Sequence, residues 1–237
     1  MDSRNITIVI LGVVFSSFII LNGVASAFGA EEYKFVRNWA LYGATSGQVS
    51  QPLDLAIDSN GDLYVTDSTG ITHQIQKFSK NGNFISSWGT AGSGPGRFTN
   101  PGGITLDSSN LLYVTDLGNS TNAVQIFTNN GSFIRGWGSH GLQNGQFISP
   151  AGIAVDSSGY VYVADQGENN RIQKFDSNGT FVTKWGSEGT GDGQFDTPIG
   201  ITVDSSGYVY VVDGGNKRIQ VFAPSSNQTA SPSNTNG

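Results

Sequence analysis

The chain has 237 residues, of which 13% are charged, and it carries a net charge of −6 and no cysteine. The absence of cysteine excludes disulfides, cysteine-ligated zinc fingers and thiol nucleophiles. Nucleic-acid binding is not expected, because it needs a basic stripe and the densest basic feature is the pair Lys217-Arg218. The 33 glycines indicate many tight turns between short strands.

The first predicted element is an apolar run over residues 6–21, with Arg4 before it and Ala25-Ser26-Ala27 after it. This pattern is typical of a secretory signal over residues 1–27, cleaved after Ala27. An uncleaved membrane anchor is the alternative, because residues 6–24 approach the roughly 20 residues that span a bilayer. Both interpretations place the rest of the chain outside the cytoplasmic membrane, as a secreted or cell-surface protein. No membrane contact beyond such an anchor is expected.

A sequence motif is then repeated four times. One proline marks the same position in each repeat unit, and these are Pro52, Pro101, Pro150 and Pro198. Each unit contains short apolar runs with turn signals between them, which in the third unit cover residues 152–155, 160–164, 171–175 and 180–185. Asn178-Gly179 is a strong hairpin signal. Strand-length runs in a regular repeat predict an all-β fold, a β-propeller with four blades of four antiparallel strands.

Aromatic residues recur with the same period and are interpreted as structural. The tryptophans each bury about 150–250 Å² in this interpretation, with a ligand-stacking platform as the alternative. They are Trp39, Trp88, Trp137 and Trp185. Packing anchors are also expected in the segments between blades, at Val49, Phe98, Phe147 and Phe195.

The fourth unit provides three strands, over residues 200–203, 208–212 and 218–222, before the chain enters a tail rich in Ser, Asn and Pro. Residues 33–39 mirror residues 181–185 and precede the first unit. We therefore expect this N-terminal strand to complete the last blade and to cover its edge. The predicted propeller covers residues 28–223, and the tail over residues 224–237 is predicted to be disordered. We expect a monomer, with the pairing of two chains into a larger assembly left open.

The third unit combines Pro150, residues 152–156, Asp165 and the phrase Asn170-Arg171-Ile172-Gln173-Lys174-Phe175, and in this it resembles the NHL repeat. The resemblance covers residues 33–222 and implies a β-propeller that serves mostly as a binding scaffold. Relatives usually have six blades, whereas this chain provides four. The Arg of the phrase recurs at Arg218 but is replaced by Gln74 and Ala123. Ubiquitin-ligase activity is not implied, because the RING finger of eukaryotic relatives requires cysteine.

One aspartate of each unit lies where the second strand is predicted to end. We call the face of these strand ends and of the loops between blades the upper face. The four residues could form a cation-binding or catalytic ring, or each could cap its loop by accepting backbone N–H groups. Recurrence in every blade favours capping, and the residues are kept as tentative ligand-binding candidates. They are Asp67, Asp116, Asp165 and Asp213.

Three further candidates break the repeat or are chemically distinct. Asp54 stands where the other units have glycine, and His73 stands where the third unit has Asn170. His140 lies in the loop between the second and third units. No cofactor is expected, although Asp54 and His73 are candidate ligands for a Ca or Zn ion near the channel, an idea suggested by a zinc-binding lyase related to the NHL family. Two histidines fall short of the three or four ligands that zinc requires.

These features predict an exported, non-catalytic scaffold that binds a protein, peptide or glycan on the upper face. The contributing loops would contain Asp54, His73, His140 and residues 117–122 and 166–170. Loop variation on a rigid scaffold is how this architecture creates sites. The alternative is a metal-assisted lyase or lactonase-type enzyme at the upper mouth of the channel.

Overall fold

The computed structural model describes residues 34–40, 42–68 and 73–224. The predicted signal or anchor over residues 1–27 and the tail after residue 224 lie outside the described residues. The chain divides into two units, Met1–Asn38 and Trp39–Gly237. Of the first unit the structure describes residues 34–38, which form no strand. In the described ranges no helix is long and apolar enough to cross a membrane.

The second unit contains four antiparallel sheets in chain order, and each sheet is one blade. Blade 1 contains β1 (Pro52–Ile57), β2 (Leu63–Asp67), β3 (Gln74–Phe78) and β4 (Phe84–Trp88). Blade 2 contains β5 (Pro101–Leu106), β6 (Leu112–Asp116), β7 (Val124–Phe127) and β8 (Phe133–Trp137). A short parallel pair, β9 (Ser139–His140) and β10 (Gln146–Phe147), precedes blade 3. Blade 3 contains β11 (Ser149–Val155), β12 (Val161–Gln166), β13 (Arg171–Phe175) and β14 (Phe181–Trp185). Blade 4 contains β15 (Pro198–Val203), β16 (Val209–Asp213) and β17 (Arg218–Phe222).

The turn between the first and second strands shows how local chemistry sets the blade. In blade 3 the Asp156 carboxylate accepts hydrogen bonds from the backbone N–H groups of Ser158 and Tyr160, both at 2.9 Å. Gly159 supplies the left-handed conformation that the turn requires, with φ +82°. Asn110 takes the equivalent position in blade 2 at φ +60°, because asparagine tolerates this region better than most residues.

The hydrophobic core lies between successive blades. The innermost strands β1, β5, β11 and β15 pack side by side in that order. Between blades 3 and 4, for example, Ile172 and Val211 are fully buried, and Trp185 packs against their cluster. Each blade therefore uses one sheet face against the previous blade and the other face against the next.

Trp88 and Trp137, at the ends of blades 1 and 2, each pack on a glycine of the following blade. A Cβ placed on Gly131 would lie 2.6 Å from the Trp88 ring, and one on Gly179 would lie 2.6 Å from the Trp137 ring. Trp39 stands in the same relation to Gly82 of blade 1. The structural interpretation of the tryptophans is confirmed by this packing. The expected anchors Phe98, Phe147 and Phe195 are likewise buried.

The predicted fold class is confirmed, since the described residues form an all-β propeller of four antiparallel blades. The predicted closing strand is a point of difference. The sheet of blade 4 has three strands, and residues 34–39 belong to no strand. In the segment 33–39, which mirrors residues 181–185, the last residue is the one with an equivalent role. Trp39 packs on blade 1 in the same way that Trp88 packs on blade 2.

The two terminal blades also differ from the inner ones. Packing between innermost strands joins blade 1 to blade 2, blade 2 to blade 3 and blade 3 to blade 4, and within the described ranges no packing of comparable extent joins blade 4 to blade 1. Large apolar side chains are consequently exposed at both ends of the series, including Leu55 on β1 and Ile219 on β17.

We predict that Gly131→Ala lowers the free energy of unfolding by about 3 kcal/mol. Its φ of +87° costs an alanine about 1–2 kcal/mol, and the contact with the Trp88 ring adds an overpacking cost of about 1–3 kcal/mol. Gly145→Ala is the matched control, since Gly145 has φ +77° and open space around its Cβ position. Urea denaturation of both variants measures the difference, and equal losses would contradict the role given to the tryptophan.

Candidate functional site

The four ring aspartates are fully buried at the ends of their second strands. Each carboxylate accepts backbone N–H groups from the segment that leads into its own blade. Asp116, for instance, accepts from Thr99 at 2.9 Å and from Asn100 at 2.7 Å. Asp67, Asp165 and Asp213 accept from the equivalent segments. The loop-capping interpretation is confirmed by these hydrogen bonds.

The partners of these carboxylates differ between blades. Asp165 receives a hydrogen bond from the buried Arg171 at 3.3 Å, and Asp213 receives one from Arg218 at 2.8 Å. In blade 2 the position of the arginine is held by Ala123, and Asn119 donates to Asp116 at 2.7 Å. The Arg substitution seen in the sequence thus removes a buried cation from the Asp116 site.

These environments shift the pKa values of the ring aspartates in different directions. Burial raises the pKa of Asp165 against the opposing effect of the amides of Ser149 and Ile148 and of the charge of Arg171. Burial alone would also raise the pKa of Asp213, but the hydrogen bonds from its polar neighbours outweigh burial and hold it below its ordinary value. The ring is therefore not a set of equivalent titrating groups.

A glutamine that is fully buried in blades 1, 2 and 3 and partly buried in blade 4 was missed by the sequence reasoning. Gln173 accepts the N–H of Gly145 at 2.9 Å and donates to the carbonyl of Gln146 at 2.8 Å. Gln76, Gln125 and Gln220 make the same pair of bonds in the other blades. The available signal was its recurrence one residue after the isoleucine of the repeated phrase.

The aspartate of the turn between the first and second strands of each blade also accepts a hydrogen bond from a tyrosine of the second strand. The Tyr162 hydroxyl donates to the Asp156 carboxylate at 2.9 Å, and the Tyr64 hydroxyl donates to Asp58 at 2.9 Å. Burial and the nearby Asp107 raise the pKa of Tyr113 to about 12. Each pair tethers its turn to the second strand, and the constant separation of six residues was the signal.

Asp54 lies on the innermost strand of blade 1 and links it to blade 2. One carboxylate oxygen accepts the N–H of Leu55 at 2.8 Å, and the other accepts the N–H of Ile104 at 2.9 Å. Glycine occupies the equivalent positions of blades 2 and 3 because the next blade is too close. A Cβ on Gly103 would lie 2.6 Å from the carbonyl oxygen of Ala151.

The two histidines occupy different environments. The Nδ1 atom of His73 is buried and makes no hydrogen bond within the described residues. The His73 carbonyl oxygen would lie 3.0 Å from a Cβ placed on Gly89, which would also meet the Phe98 ring, so His73 lies at the junction between blades 1 and 2. His140 is exposed on β9. Across the part of the chain that the structure describes, no three His, Asp or Glu side chains gather as potential metal ligands.

A groove lies among the innermost strands of the blades, and we call it the axial groove. Its volume is about 520 Å³, and all four blades contribute to its lining. Leu53, Gly102, Ala151 and Ile199 line it from equivalent positions of the blades. Of the sequence-predicted candidates Asp54 lines the groove, as do Leu117 and Gln166 of the predicted loops, whereas His73, His140 and the ring aspartates do not.

We predict that Asp165→Asn lowers the free energy of unfolding by about 3 kcal/mol at neutral pH. The variant leaves Arg171, which is buried, without its counter-charge, and removal of one partner from a buried ion pair is strongly destabilising. Chemical denaturation of the purified variant measures the loss.

Asp116→Asn is the matched control, because blade 2 carries Ala123 where blade 3 carries Arg171. We expect a smaller loss of about 1 kcal/mol, in the range of a neutral hydrogen bond. Since the folded pKa of Asp116 is raised above 3.8, the native protein loses stability relative to this variant as the pH rises from 3.8 through the folded pKa. Equal losses in the two variants at neutral pH would refute the role of Arg171.

Family models match two parts of the chain. The model described as NHL repeat matches residues 147–175 and 195–222. A second model, described as a 6-bladed beta-propeller, matches residues 51–119. No curated protein matches the sequence.

Solved propellers share the fold at low sequence identity. A streptogramin B lyase is 19% identical with a TM-score of 0.53, and the match covers 78% of this chain and 57% of the lyase. Virginiamycin B lyase from Staphylococcus aureus is 19% identical with a TM-score of 0.52, over 78% of this chain and 58% of that one. A gluconolactonase from Xanthomonas campestris is 17% identical with a TM-score of 0.53, over 73% of this chain and 58% of that one.

The chain spans 57–58% of the length of these three solved structures. At these identities the likeness shows the fold and no activity. Together with the four blades of the structure, the family models show a β-propeller that contains NHL repeats at residues 147–175 and 195–222.

Proposed function

We propose that the chain is a non-catalytic binding module that holds a segment of another protein, or a peptide, in the axial groove. The observation that carries this proposal is the loss of the repeat pattern around the groove. At one register position the four blades have Leu53, Gly102, Ala151 and Ile199, although the residues that hold the blades together recur almost unchanged. Binding sites on repeated scaffolds arise where the repeats differ, because the recurring residues are used for folding.

The shape of the groove fits a ligand of this kind. Its volume of about 520 Å³ lies within the range of about 300–1,000 Å³ that is usual for binding pockets. Leu53 is 51% exposed and Ile199 is 46% exposed, although both are large and apolar. Such side chains gain most from a ligand that covers them with apolar surface.

The backbone of the groove favours a polypeptide ligand. The register of each innermost strand shifts directly after its proline, in the stretch that lines the groove. In blade 2 the Thr115 hydroxyl accepts the N–H of Gly103 at 2.8 Å within this stretch. Blades 3 and 4 have Ala164 and Val212 in place of that threonine. In blades 3 and 4 no threonine hydroxyl bonds to this irregular backbone. Its own N–H and C=O groups are therefore the better partners for those of a bound peptide.

A glycan is a poorer fit for the same surface. Sugar rings are held by aromatic faces and by several converging polar side chains. In this chain Trp88 and Trp137 are committed to the contacts between blades, where they stack on Gly131 and Gly179. Leu53, Leu117 and Ile199 dominate the rim of the groove instead.

The position of Asp54 also supports binding over catalysis. Both carboxylate oxygens accept backbone N–H groups, so the side chain is used to join blades 1 and 2. A catalytic or metal-ligating carboxylate needs an oxygen directed at its substrate or ion. We therefore prefer the binding module to the lyase or lactonase-type enzyme.

We further propose that the protein is exported, on the basis of the apolar run over residues 6–21 and the Ala25-Ser26-Ala27 sequence. N-terminal sequencing of protein recovered from the culture medium or the cell surface is expected to give Phe28 as the first residue. A protein that keeps Met1 and stays inside the cell would contradict export, and one that keeps Met1 at the cell surface would identify an anchor.

The binding proposal predicts that a random peptide library displayed on phage yields binders that contain a large apolar residue. We expect Ala151→Trp to weaken the selected peptides at least about tenfold, or about 1.4 kcal/mol, because the indole fills the groove. Larger side chains are tolerated at this register, since Leu53 and Ile199 occupy it in other blades. Fluorescence anisotropy of a labelled peptide measures the affinity.

Ser158→Trp is the matched control, because Ser158 lies in an exposed turn at the opposite end of the second strand. This variant is expected to bind the peptides as the native protein does. Selected peptides that bind both variants equally would show that the groove is not the site, and a failure to select any peptide would contradict the proposed ligand class.

A further inference from the structure

Blade 1 exposes, along its innermost strand β1, a surface whose counterparts are buried elsewhere in the propeller, whereas Val65 and Phe78 on the same face of β2 and β3 are buried. Blades 2, 3 and 4 each cover one sheet face with the preceding blade, and we call this the leading face. In blade 2 it includes Ile104, which is 4% exposed. The equivalent Leu55 of blade 1 is 58% exposed, and Ile57 beside it is also exposed.

The exposed face of blade 4 is the other half of the same interface. Blades 1, 2 and 3 each cover their second sheet face with the following blade, and we call this the trailing face. In blade 3 it includes Ile172, which is fully buried. The equivalent Ile219 of blade 4 is 67% exposed, and Val212 and Val221 on the same face are exposed as well.

A third feature marks an open position in blade 4. A cavity of about 510 Å³ lies between β14 and the outer side of blade 4, bounded by Trp185, Val209 and Phe222. In blade 3 the fourth strand places Phe181 against Phe175, with ring centroids 6.1 Å apart. Phe175 is the equivalent of Phe222, so the cavity lies where a fourth strand of blade 4 would begin.

We propose that the trailing face of blade 4 binds the leading face of blade 1 of a second copy of this chain. The chain makes this type of interface three times internally, so the two exposed faces are complementary by construction. Two such contacts related by a twofold axis would close a ring of eight blades, at the upper end of the usual range of 4–8. This arrangement replaces the monomer expected from the sequence.

A second copy fits these faces better than closure within one chain. The β1 part of the leading face and the trailing face of blade 4 stay exposed in the chain itself, although closure would bury both. The chain shares its fold with propellers of which it spans 57–58%, and the model that matches residues 51–119 describes six blades. The apolar side chains exposed on β1 and on blade 4 are therefore surfaces that further blades could cover.

The segment before blade 1 could take the open position in blade 4 of that second copy. Residues 35–39 repeat the pattern of residues 181–185, with Phe35 for Phe181 and Trp39 for Trp185. Phe35 and Val36 are largely exposed. An added strand would supply the backbone partners that the outer edge of β17 lacks within its three-stranded sheet.

Cysteine cross-linking tests the assembly, because the chain has no cysteine of its own. Within the chain the Thr115 hydroxyl donates to the carbonyl of Ala151 at 2.7 Å, and the equivalents across the proposed interface are Val212 and Leu53. Full-length Leu53→Cys and Val212→Cys proteins are mixed, treated with a short bis-maleimide and separated on a denaturing gel. A covalent dimer in the mixture, at several times the yield of either variant alone, is expected.

The same experiment distinguishes the alternatives. For a chain that carries both cysteines the bis-maleimide is replaced by direct disulfide formation, because Leu53 and Val212 line one groove that the reagent could bridge. A disulfide-linked dimer is expected, whereas an internally disulfide-linked monomer would show closure within one chain and overturn the proposal. Absence of any linked product would overturn it too, as would a ladder of longer polymers, which indicates a contact that does not close.

A charged substitution at the interface gives the matched control. Leu55→Asp in the Leu53→Cys protein should reduce the dimer at least about tenfold, because it buries an unpaired carboxylate. Ile134→Asp in the same protein should leave the dimer unchanged, since Ile134 is an exposed residue on the outer strand of an inner blade. Circular dichroism verifies that both variants are folded. Equal dimer yields from both would contradict the assignment of the faces.

Discussion

One buried carboxylate at the end of each second strand connects the parts of this propeller. It accepts the amides of the segment that leads into the blade, and that segment carries the phenylalanine packed between the blades. The neighbouring glutamine fixes the same segment from its other side. A loop held by charge-assisted hydrogen bonds in a dry environment has few alternative conformations. The spacing between blades, and with it the position of every face, therefore depends on Asp67, Asp116, Asp165 and Asp213.

The sequence predicts the features that repeat, because repetition reveals them. Strand positions, turns, tryptophans and capping aspartates all recur, so their structural use can be read without coordinates. The use of Asp54 could not be predicted, since its partner is the amide of Ile104, a residue 50 positions away on another blade. The same limit applies to residues 33–39. Their pattern matches a fourth strand, but pattern alone does not specify which sheet edge receives a strand or on which copy it lies.

Repetition also explains where a ligand can be recognised. A residue that holds two blades together is constrained by both of them, so its replacement costs stability. The positions around the axial groove touch fewer neighbours and can differ, as Leu53, Gly102, Ala151 and Ile199 do. The arginine position shows the same freedom outside the groove, since Ala123 stands in blade 2 where Arg171 stands in blade 3, while an asparagine donates to the carboxylate in both blades. Differences at the arginine position change stability, whereas differences around the axial groove change the surface offered to a ligand.

The exposed end faces and the groove belong to the same strands. β1 presents Leu55 to the leading face and Leu53 to the groove, and β16 presents Val212 to both the trailing face and the groove. A second copy seated on these faces would therefore bring its own innermost strands to the open side of the groove. A ligand that contacts strands of both copies stabilises their association by its binding free energy, and the association raises the affinity for the ligand by the same factor. In such a ring, assembly and recognition are one linked equilibrium, with the shared strands β1 and β16 as the point of coupling.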